Sequence, residues 1–326
     1  MKSLLLDRNL ALDAVRVTEI AAIASSFHMG RGNEKDADQS AVNAMRDFLN
    51  DLDINGKVVI GEGERDEAPM LYIGEIVGKG GINVDIALDP LEGTTITAHG
   101  GENAISVLAN GEEGSFLHAP DIYMKKIAYG YKYQDLEINI NDKPKKVIND
   151  FSKFSGIRQE NIVVCILDRS RHKDLISDVR ETGARIKLIP DGDVSAVIAT
   201  SIDDSGIDIY MGTGGSPEGV LAAVALRCLG GKIYTKLIYD DLQSFERAKS
   251  MGILDKDKIY ETLDLAKGDV MFSATGVTDG TLLKGVRIKN NFAHTQSVVM
   301  RSQTSTVRYV TAKHNLNIKK YRSYFK

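Results

Sequence analysis

The chain has 326 residues and a formal net charge of −4, with 43% hydrophobic and 26% charged residues. These proportions are typical of a globular protein whose length suits either one large layered domain or two halves. The small acidic excess argues against general nucleic-acid binding, so we predict no nucleic-acid partner. No apolar stretch has the length needed to span a bilayer, so we also predict no membrane partner.

The first residues do not have the pattern of a targeting segment, because Asp7 and Arg8 interrupt the short apolar run before them. Cys165 and Cys228 lie in apolar runs that resemble a strand and a helix. We interpret them as buried free thiols in a reducing compartment. Together these features predict a cytoplasmic location.

Hydrophobic spacing predicts helices at 10–27 and 37–52, the second capped by Asp36, with a turn at Asn55-Gly56 between it and the first strand. Strands are predicted at 57–60, 84–88, 105–108, 124–129, 162–167, 186–189, 207–211, 297–300 and 306–311. Further helices are predicted at 173–182 and 220–229. The alternation of the two patterns predicts an α/β fold with mixed, layered sheets.

The polar stretch 134–149 is the best candidate for a boundary between two halves. It predicts an amino-terminal α/β half, residues 1–150, and a carboxyl-terminal α/β half, residues 151–326. The acidic motifs described next lie mainly in the first half. The second half holds Glu218 and most of the other candidate site residues.

Residues 89–94 read Asp-Pro-Leu-Glu-Gly-Thr and directly follow the predicted strand 84–88. A residue before proline favours extended geometry, so Asp89 should end the strand with its carboxylate pointing outward. Gly93 allows a ligand to approach the backbone closely, and Thr94 adds a hydroxyl. If these two residues open a helix, their amides would point at a phosphate group.

Carboxylates also follow other predicted strands and begin a helix: Asp38, Glu62, Glu64, Asp89, Glu92 and Glu218. Acids on an ordinary exposed surface usually lie on helix faces beside lysines, which is not the pattern of this set. Packed closely, the carboxylates would repel one another, and their pKa values would rise. Divalent cations such as Mn²⁺ or Mg²⁺ remove that conflict. The pattern therefore predicts two or more divalent cations and metal-assisted phosphoryl transfer.

The hexapeptide at 89–94 resembles the signature of the lithium-sensitive phosphatase superfamily, which includes inositol monophosphatases and fructose bisphosphatases. Further stretches resemble the class II bacterial fructose-1,6-bisphosphatases: 30–32, 37–38, 41–46, 59–64, 66–75, 119–124, 190–193, 214–219 and 272–276. The resemblance implies an α-β-α-β-α sandwich and a homodimer or homotetramer. It also implies hydrolysis of fructose 1,6-bisphosphate to fructose 6-phosphate and phosphate in gluconeogenesis.

The resemblance also implies roles for individual residues. One metal would be held by Asp38 and Glu62, and the other by Asp89, Glu92 and Glu218. Thr94 would orient the attacking water, with Asp66 as a supporting acid. Substrate contacts are implied for Glu92, Gly93, Thr94, Tyr123, Arg169, Ser170, Arg171, Asp191, Gly192, Asp193 and Gly215. The planar guanidinium groups suit a distal phosphate. The chain departs from the family pattern at two positions. The lysine that often follows the Gly-Arg-Gly motif lies one position later in this chain, at Lys35. Ser170 lies between the two arginines, where proline is more common in the family.

Three functions remain open after this comparison. The first is a sugar bisphosphatase acting on fructose 1,6-bisphosphate. The second keeps the chemistry but acts on sedoheptulose 1,7-bisphosphate, an inositol phosphate or a nucleotide 3′-phosphate; the two arginines favour a bisphosphate. The third is a non-catalytic sugar-phosphate sensor, which would not need Thr94.

Two local motifs have competing interpretations. Residues 191–193 read Asp-Gly-Asp, as in aspartyl-phosphate phosphatases, but that motif normally follows the first strand. The glycine run 212–219 resembles a dinucleotide-binding loop without the expected acid downstream. We favour sugar contact for the first motif and an anion-binding helix start for the second.

Overall fold

The computed structural model of the chain describes residues 10–63 and 69–318. The described α-helices are α1 (Leu10–Ser26), α2 (Glu34–Leu49), α3 (Thr94–His99), α4 (Pro144–Ser155), α5 (Lys173–Glu181), α6 (Asp193–Ala199), α7 (Ser216–Leu229), α8 (Leu242–Ser250) and α9 (Thr262–Leu265). The strands β1 to β7 are Ile54–Ile60, Ile76–Val77, Ile82–Glu92, Ile105–Gly111, Tyr123–Tyr129, Val163–Leu167 and Arg185–Ile189. The strands β8 to β14 are Ile209–Gly215, Lys232–Leu237, Ile259–Glu261, Val270–Gly276, Arg287–Lys289, Phe292–Arg301 and Thr306–Asn315.

These elements form two compact units. Unit 1 comprises the described residues of Met1–Phe116 and Gly268–Lys326, and unit 2 is Leu117–Lys267. The division differs from the predicted boundary at residue 150, which falls inside α4 of unit 2. The chain enters unit 2 at residue 117 and leaves it at residue 267, so unit 2 is an insertion in unit 1. The polar run 134–149 is part of unit 2 and marks no boundary.

Unit 1 is built on a mixed sheet whose described strands have the order β12-β13-β11-β4-β3-β1-β2, with β14 paired to β13. The helices α1 and α2 pack against this sheet and against each other. Their apolar residues, such as Val17, Ile20 and Met45, are buried in one core with Ile86 and Leu88 of β3. The strands predicted at 297–300 and 306–311 are confirmed, and they lie in the antiparallel pair β13 and β14.

The start of α2 corrects the predicted cap. The helix begins at Glu34, and Asn33 caps it by accepting a hydrogen bond from the Asp36 amide (3.2 Å). Asp36 therefore lies inside the first turn, where its negative charge also favours the helix dipole. The earlier start leaves Asp38 in the second turn of the helix, and the helix ends at Leu49.

The predicted turn at Asn55-Gly56 is also wrong, because both residues lie inside β1. Gly56 is paired with Val84 of β3, and a side chain there would collide with Ile86. A glycine inside a strand often marks such a close approach rather than a turn.

Strand β3 continues past the predicted end at Asp89 as far as Glu92. Its antiparallel pairing with β4 shifts between Asp89, opposite Val107, and Glu92, opposite Ile105. Pro90 lies in this β-bulge, one of the few places in a sheet that accept a residue with no amide hydrogen. The bulge bends the strand and redirects the side chains around it.

Unit 2 contains a second mixed sheet with the strand order β10-β9-β5-β8-β6-β7. The helices α4 and α5 bury their apolar faces in one core with β5, β6 and β8. The helix α7 packs on β5, β8 and β9, while α6 packs on β8. Alternating residues of the strands therefore face different helices. The predicted α/β class with layers of helix and sheet is confirmed.

Candidate functional site

The bulge of β3 in unit 1 brings two predicted metal ligands together. Asp89 is partly buried, and its Oδ1 accepts a hydrogen bond from the Leu91 amide (2.9 Å), which closes the chain over Pro90. Glu92 is buried. Carboxylate oxygens of Asp89 and Glu92 lie within 4.8 Å of each other. The Asp-Pro-Leu-Glu sequence thus folds into a local pair of acids.

Two further predicted ligands lie beside this pair in unit 1. The pKa of Glu62 is raised well above its ordinary value, first by burial and then by the charges of Asp89 and Asp38. Burial also raises the pKa of Asp38. Within residues 10–63 and 69–318, neither Asp38 nor Glu62 forms an ion pair. The carboxylates therefore repel one another, and a bound cation would compensate their charges.

The loop after β1 holds Glu62 in place. The Glu62 amide donates a hydrogen bond to the Leu71 carbonyl (3.1 Å), and Leu71 has a positive φ of 55°. The buried Glu75 carboxylate holds the backbone of Leu71 in this conformation. It accepts one hydrogen bond from the Leu71 amide and another from Nε of Arg46 (2.7 Å). Gly61 is required here because a Cβ would overlap the Leu71 carbonyl. Glu75 and Arg46 support the site, although no role was predicted for either residue.

Gly93 and Thr94 open a helix, which meets the condition set for their amides to face a phosphate group. Gly93 caps α3 with φ 94° and ψ 52°, a left-handed conformation that favours glycine. Its carbonyl accepts both the amide and the hydroxyl of Thr97 (3.0 and 3.1 Å). Thr94 is the first helical residue and is partly buried. The free amides of a first helical turn attract anions, so this end suits a phosphate oxygen.

The donor set of unit 1 fits a divalent cation. It consists of carboxylate oxygens alone, from Asp38, Glu62, Asp89 and Glu92, which is the set that hard cations prefer. After burial, the charges of Asp89 and Asp38 also raise the pKa of Glu62, and a positive ion would relieve this repulsion. These residues could therefore bind a metal. The predicted supporting acid Asp66 and the neighbouring Glu64 lie outside the described residues.

Unit 2 contains a buried ion pair among the predicted sugar contacts. Asp193 lies at the start of α6. Its Oδ2 accepts two hydrogen bonds, one from Nζ of Lys126 (2.7 Å) and one from the Tyr210 hydroxyl (3.2 Å). Lys126 is fully buried. Gly214 is needed beside the pair, since a Cβ would overlap Oδ2 of Asp193. Gly192 caps α6 with a positive φ of 83°. Lys126 is a partner that the sequence did not single out.

Arg171 is held at the end of β8 by its own Nε. This atom donates a hydrogen bond to the Thr213 carbonyl (2.9 Å), and the guanidinium carbon lies 4.8 Å from the centre of the Tyr123 ring. The Thr213 amide donates to Nε2 of His172 (2.8 Å), while Nδ1 of that buried histidine faces the Leu167 carbonyl (2.8 Å). Two neighbouring side chains thus fix both backbone groups of Thr213. Tyr123 and Arg171 lie together, as the shared role predicted for them requires.

The remaining predicted residues of unit 2 lie on neighbouring turns. Arg169 forms an ion pair with Asp191 (3.4 Å), and Ser170 begins a short 3-10 helix, Ser170–His172. Gly215 caps α7, which begins at Ser216 rather than at the predicted 220. Glu218 therefore lies in the first turn of α7. A Cβ at Gly215 would overlap its carboxylate, so that glycine makes room for Glu218.

The competing interpretations of two motifs gain no support from their surroundings. Residues 191–193 follow β7, far from the first strand, and Asp191 and Asp193 are both ion-paired. The glycine run from Gly212 leads from β8 into α7, as expected for a strand followed by a helix start.

Both cysteines are free and buried, as predicted, and burial raises the pKa of Cys165 to about 12. No described helix is both long enough and apolar enough to cross a bilayer.

Comparison with known proteins gives a consistent result over almost the whole chain. Residues 8–314 match the family described as bacterial fructose-1,6-bisphosphatase, glpX-encoded. A Trichodesmium erythraeum protein named D-fructose 1,6-bisphosphatase class 2/sedoheptulose 1,7-bisphosphatase is 43% identical over 335 residues, which cover 95% of this chain and 97% of the relative. Proteins with the same name from a Synechococcus strain and from Gloeobacter violaceus are 42% and 41% identical. They cover 95% and 96% of this chain, and 96% and 97% of their own lengths.

The match confirms what the motifs predicted at the level of reaction class. The predicted class II fructose-1,6-bisphosphatase resemblance and the predicted enzyme class, a phosphoric monoester hydrolase, are both confirmed. The main predicted activity, fructose-bisphosphatase, is confirmed as well. The chain belongs to the family of glpX-encoded bacterial fructose-1,6-bisphosphatases.

Proposed function

We propose that this chain releases the 1-phosphate of fructose 1,6-bisphosphate by attack of a water molecule, with divalent cations held by the carboxylates of unit 1. One observation carries the proposal: Glu62 is partly buried beside Asp89 and Asp38, and its pKa is raised first by burial and then by their charges. A protein that kept these acids together for structural reasons alone would gain nothing from their repulsion. A site that binds cations requires their proximity.

Mn²⁺ or Mg²⁺ would be held by Asp38 and Glu62 at one position and by Asp89 and Glu92 at another. When bound, such ions lower the pKa of water and withdraw charge from phosphoryl oxygens. The chain's own contribution is mainly positioning and electrostatics. The Thr94 hydroxyl would orient the attacking water. The amides at the start of α3 would receive a phosphate oxygen, and the rigid Gly93 turn keeps them in place.

Unit 2 would recognise the sugar and the phosphate that stays on it. Arg169, Arg171 and Tyr123 would bind the distal phosphate, with Ser170 between the arginines. Asp191 and Asp193 would accept sugar hydroxyls near Gly192, and the Gly215 backbone would contact the ligand. Glu218 stays a predicted ligand of the cation at Asp89 and Glu92, on the basis of the family resemblance. Asp66 stays a predicted supporting acid on the same basis.

Sedoheptulose 1,7-bisphosphate is the second candidate substrate, because the relatives carry a name that joins the two activities. The shared chemistry is a bisphosphorylated ketose whose 1-phosphate is removed. We further propose that the chain acts in the cytoplasm, in gluconeogenesis, as a homodimer or homotetramer. The two buried free thiols agree with a reducing compartment.

The test is phosphate release from fructose 1,6-bisphosphate with Mn²⁺, with Mg²⁺ and with a chelator. We expect fast release that stops when the metal is removed. Parallel assays with sedoheptulose 1,7-bisphosphate and inositol 1-phosphate rank the substrates. If the folded protein releases no phosphate from either bisphosphate under any metal, the proposed reaction is wrong.

A further inference from the structure

The segment that enters β4 lies against the candidate metal and phosphate site of unit 1. The pairing of β3 with β4 shifts at the bulge and resumes with Glu92 opposite Ile105. The preceding residue, Ala104, packs beside the left-handed Gly93 turn, since a Cβ added at Gly93 would lie 3.4 Å from its Cα and Cβ. The positions of Glu92 and of Thr94 at the start of α3 therefore depend on how Ala104 and Ile105 are held.

The loop after β11, residues 277–281, holds this segment from the edge of β4 that faces away from β3. The buried Thr278 hydroxyl accepts a hydrogen bond from the Ala104 amide (3.0 Å). The Ala104 carbonyl accepts the amides of Val277 (2.9 Å) and Thr278 (3.2 Å). Ala104 is fully buried, and a buried backbone amide needs an acceptor. Here that acceptor is a side chain, so the position of Ala104 depends on the Thr278 hydroxyl.

Asn103 adds two contacts with the same loop. Its backbone has φ 79°, its amide donates to the Asp279 carbonyl (2.8 Å), and its Oδ1 accepts the Thr281 amide (2.9 Å). The Asp279 carboxylate accepts the Gly285 amide (2.9 Å) and forms an ion pair with Arg287. The loop is therefore fixed by its own contacts and can support the start of β4.

We propose that Thr278 is a positioning residue for the reaction, because its hydroxyl fixes Ala104, which in turn fixes Glu92 and the Gly93 turn. Thr278 acts through Ala104 rather than on the substrate. The roles of Glu92 as a metal ligand and of the α3 amides as phosphate donors rest on the proposed function. Residues that orient metal ligands affect metal affinity and turnover, since both depend on the exact position of the ligand atoms.

The first experiment compares the unaltered chain with Thr278→Val, which keeps the shape of the side chain but removes the acceptor of the Ala104 amide. Calorimetry without substrate measures Mn²⁺ binding, and phosphate release from fructose 1,6-bisphosphate at saturating Mn²⁺ measures turnover. We expect Mn²⁺ affinity and kcat each to fall about tenfold, as for other residues that orient metal ligands. KM should stay unchanged, because the proposed contacts with the distal phosphate lie in unit 2.

Two further variants serve as controls. Thr278→Ser returns the hydroxyl and should restore both Mn²⁺ affinity and kcat. Thr281→Val removes an exposed hydroxyl that lies 3.3 Å from Oδ1 of Asn103 but keeps the Thr281 amide, which donates to the same atom. It should change neither quantity. A fall in kcat alone in Thr278→Val would also support positioning, at the start of α3 rather than at Glu92.

The inference is overturned if folded Thr278→Val matches the unaltered chain in Mn²⁺ affinity and kcat, even if it unfolds at lower urea. Thr278 would then have a structural role only. If Thr278→Val does not fold, Ala104→Gly tests the next step, because it removes the methyl group beside Gly93 and keeps the amide. Unchanged Mn²⁺ affinity and kcat in that variant would also overturn the inference. If instead the proposed function is wrong, the unaltered chain would release no phosphate, yet its Mn²⁺ affinity would still depend on Thr278.

Discussion

The two units treat buried carboxylates in opposite ways. In unit 1, the neighbours of Glu62 are other acids, and its pKa is raised by burial and then by Asp89 and Asp38. In unit 2, Asp193 is buried, and the fully buried Lys126 ammonium lies 2.7 Å from its carboxylate. Unit 2 supplies a counter-charge to Asp193, whereas no described residue of unit 1 forms an ion pair with Glu62. The charges of Asp89 and Asp38 beside Glu62 therefore make this cluster a place where a cation from solution could bind.

This comparison also separates two physical roles. A buried ion pair with satisfied hydrogen bonds fixes the position of its members, and its net contribution to stability is small. A cluster of like charges stores electrostatic free energy that a ligand releases when it binds. We therefore expect changes in unit 1 to alter metal dependence and turnover, and changes at the Lys126–Asp193 pair to alter folding.

Glu62→Gln should have the largest effect, a loss of at least about 10²-fold in kcat with metal present, the scale on which loss of one polar partner of a transition state reduces turnover. The amide keeps the shape of the side chain but removes the charge that a cation needs. Phosphate release from fructose 1,6-bisphosphate measures the change. Glu113→Gln, an exposed glutamate of the same unit, is the control. Near-normal turnover of a folded Glu62→Gln would remove this residue from the metal site.

Lys126→Met should destabilise the fold by about 3–5 kcal/mol, because it leaves the Asp193 carboxylate buried without its cation. Urea unfolding measures the loss. The double variant Lys126→Met with Asp193→Asn should recover much of it, since the unpaired charge is then gone. If the single variant is as stable as the unaltered chain, then the pair does not compensate the charge of Asp193 and the contrast between the units fails.

The order of elements and the acid cluster could be predicted from sequence because each rests on local signals. The helical spacing of α1 and α2 and the hexapeptide at 89–94 are patterns within a few residues. The end of β3 was predicted too early, because the bulge after Asp89 depends on pairing with β4. The same is true of Asn55-Gly56, where packing against Ile86 overrides a common turn dipeptide.

The supporting residues could not be predicted because they act through the fold. Lys126 lies in a strand 67 positions from Asp193, and only the packing of α6 on the sheet brings them together. Glu75 acts on Glu62 through the backbone of Leu71. The boundary of unit 2 was missed for a similar reason: an inserted unit leaves the chain without a change in composition. The assignment of each site residue to a role stays a prediction.

Metal binding should stabilise the chain by a smaller amount, about 2.7 kcal/mol when the metal concentration is 100 times its Kd. The sign of its pH dependence follows from Glu62. Its folded pKa is raised, so its contribution to the stability of the metal-free protein is present below pH 4.5 and lost as pH rises through the raised pKa. Metal should therefore stabilise most at neutral pH.

Thermal unfolding with Mn²⁺ and with a chelator, between pH 5 and pH 8, measures this effect. Glu62→Gln in chelator should be more stable than the unaltered chain at pH 8, because one of the repelling charges is gone. Equal stability of the two proteins across this range would show that the cluster stores no free energy for a ligand to release.

A change at His172 should have the smallest effect. It sharpens the contrast between the two units, because His172 is a buried neutral group that hydrogen-bonds to the backbone of unit 2. Its Nε2 accepts the Thr213 amide, so the ring proton lies on Nδ1 and is donated to the Leu167 carbonyl. Burial lowers its pKa. The unfolded chain therefore takes up a proton before the folded chain does. The stability contribution of His172 is present above about pH 6.5 and is lost as the pH falls through the lowered pKa.

We expect the unaltered chain to lose about 1 kcal/mol more than His172→Gln between pH 7 and pH 5, the scale set by one proton taken up preferentially by the unfolded state. The glutamine Oε1 can still accept the Thr213 amide, but it does not titrate. Urea unfolding at a series of pH values gives the difference directly. Parallel curves for the two proteins would mean that Thr213, and with it Arg171, is held independently of the charge state of His172. Divergent curves would show that the contact from His172 to Thr213, which positions the Arg171 guanidinium, is lost in acid. Under the same conditions, protonation reduces the repulsion among the carboxylates of unit 1.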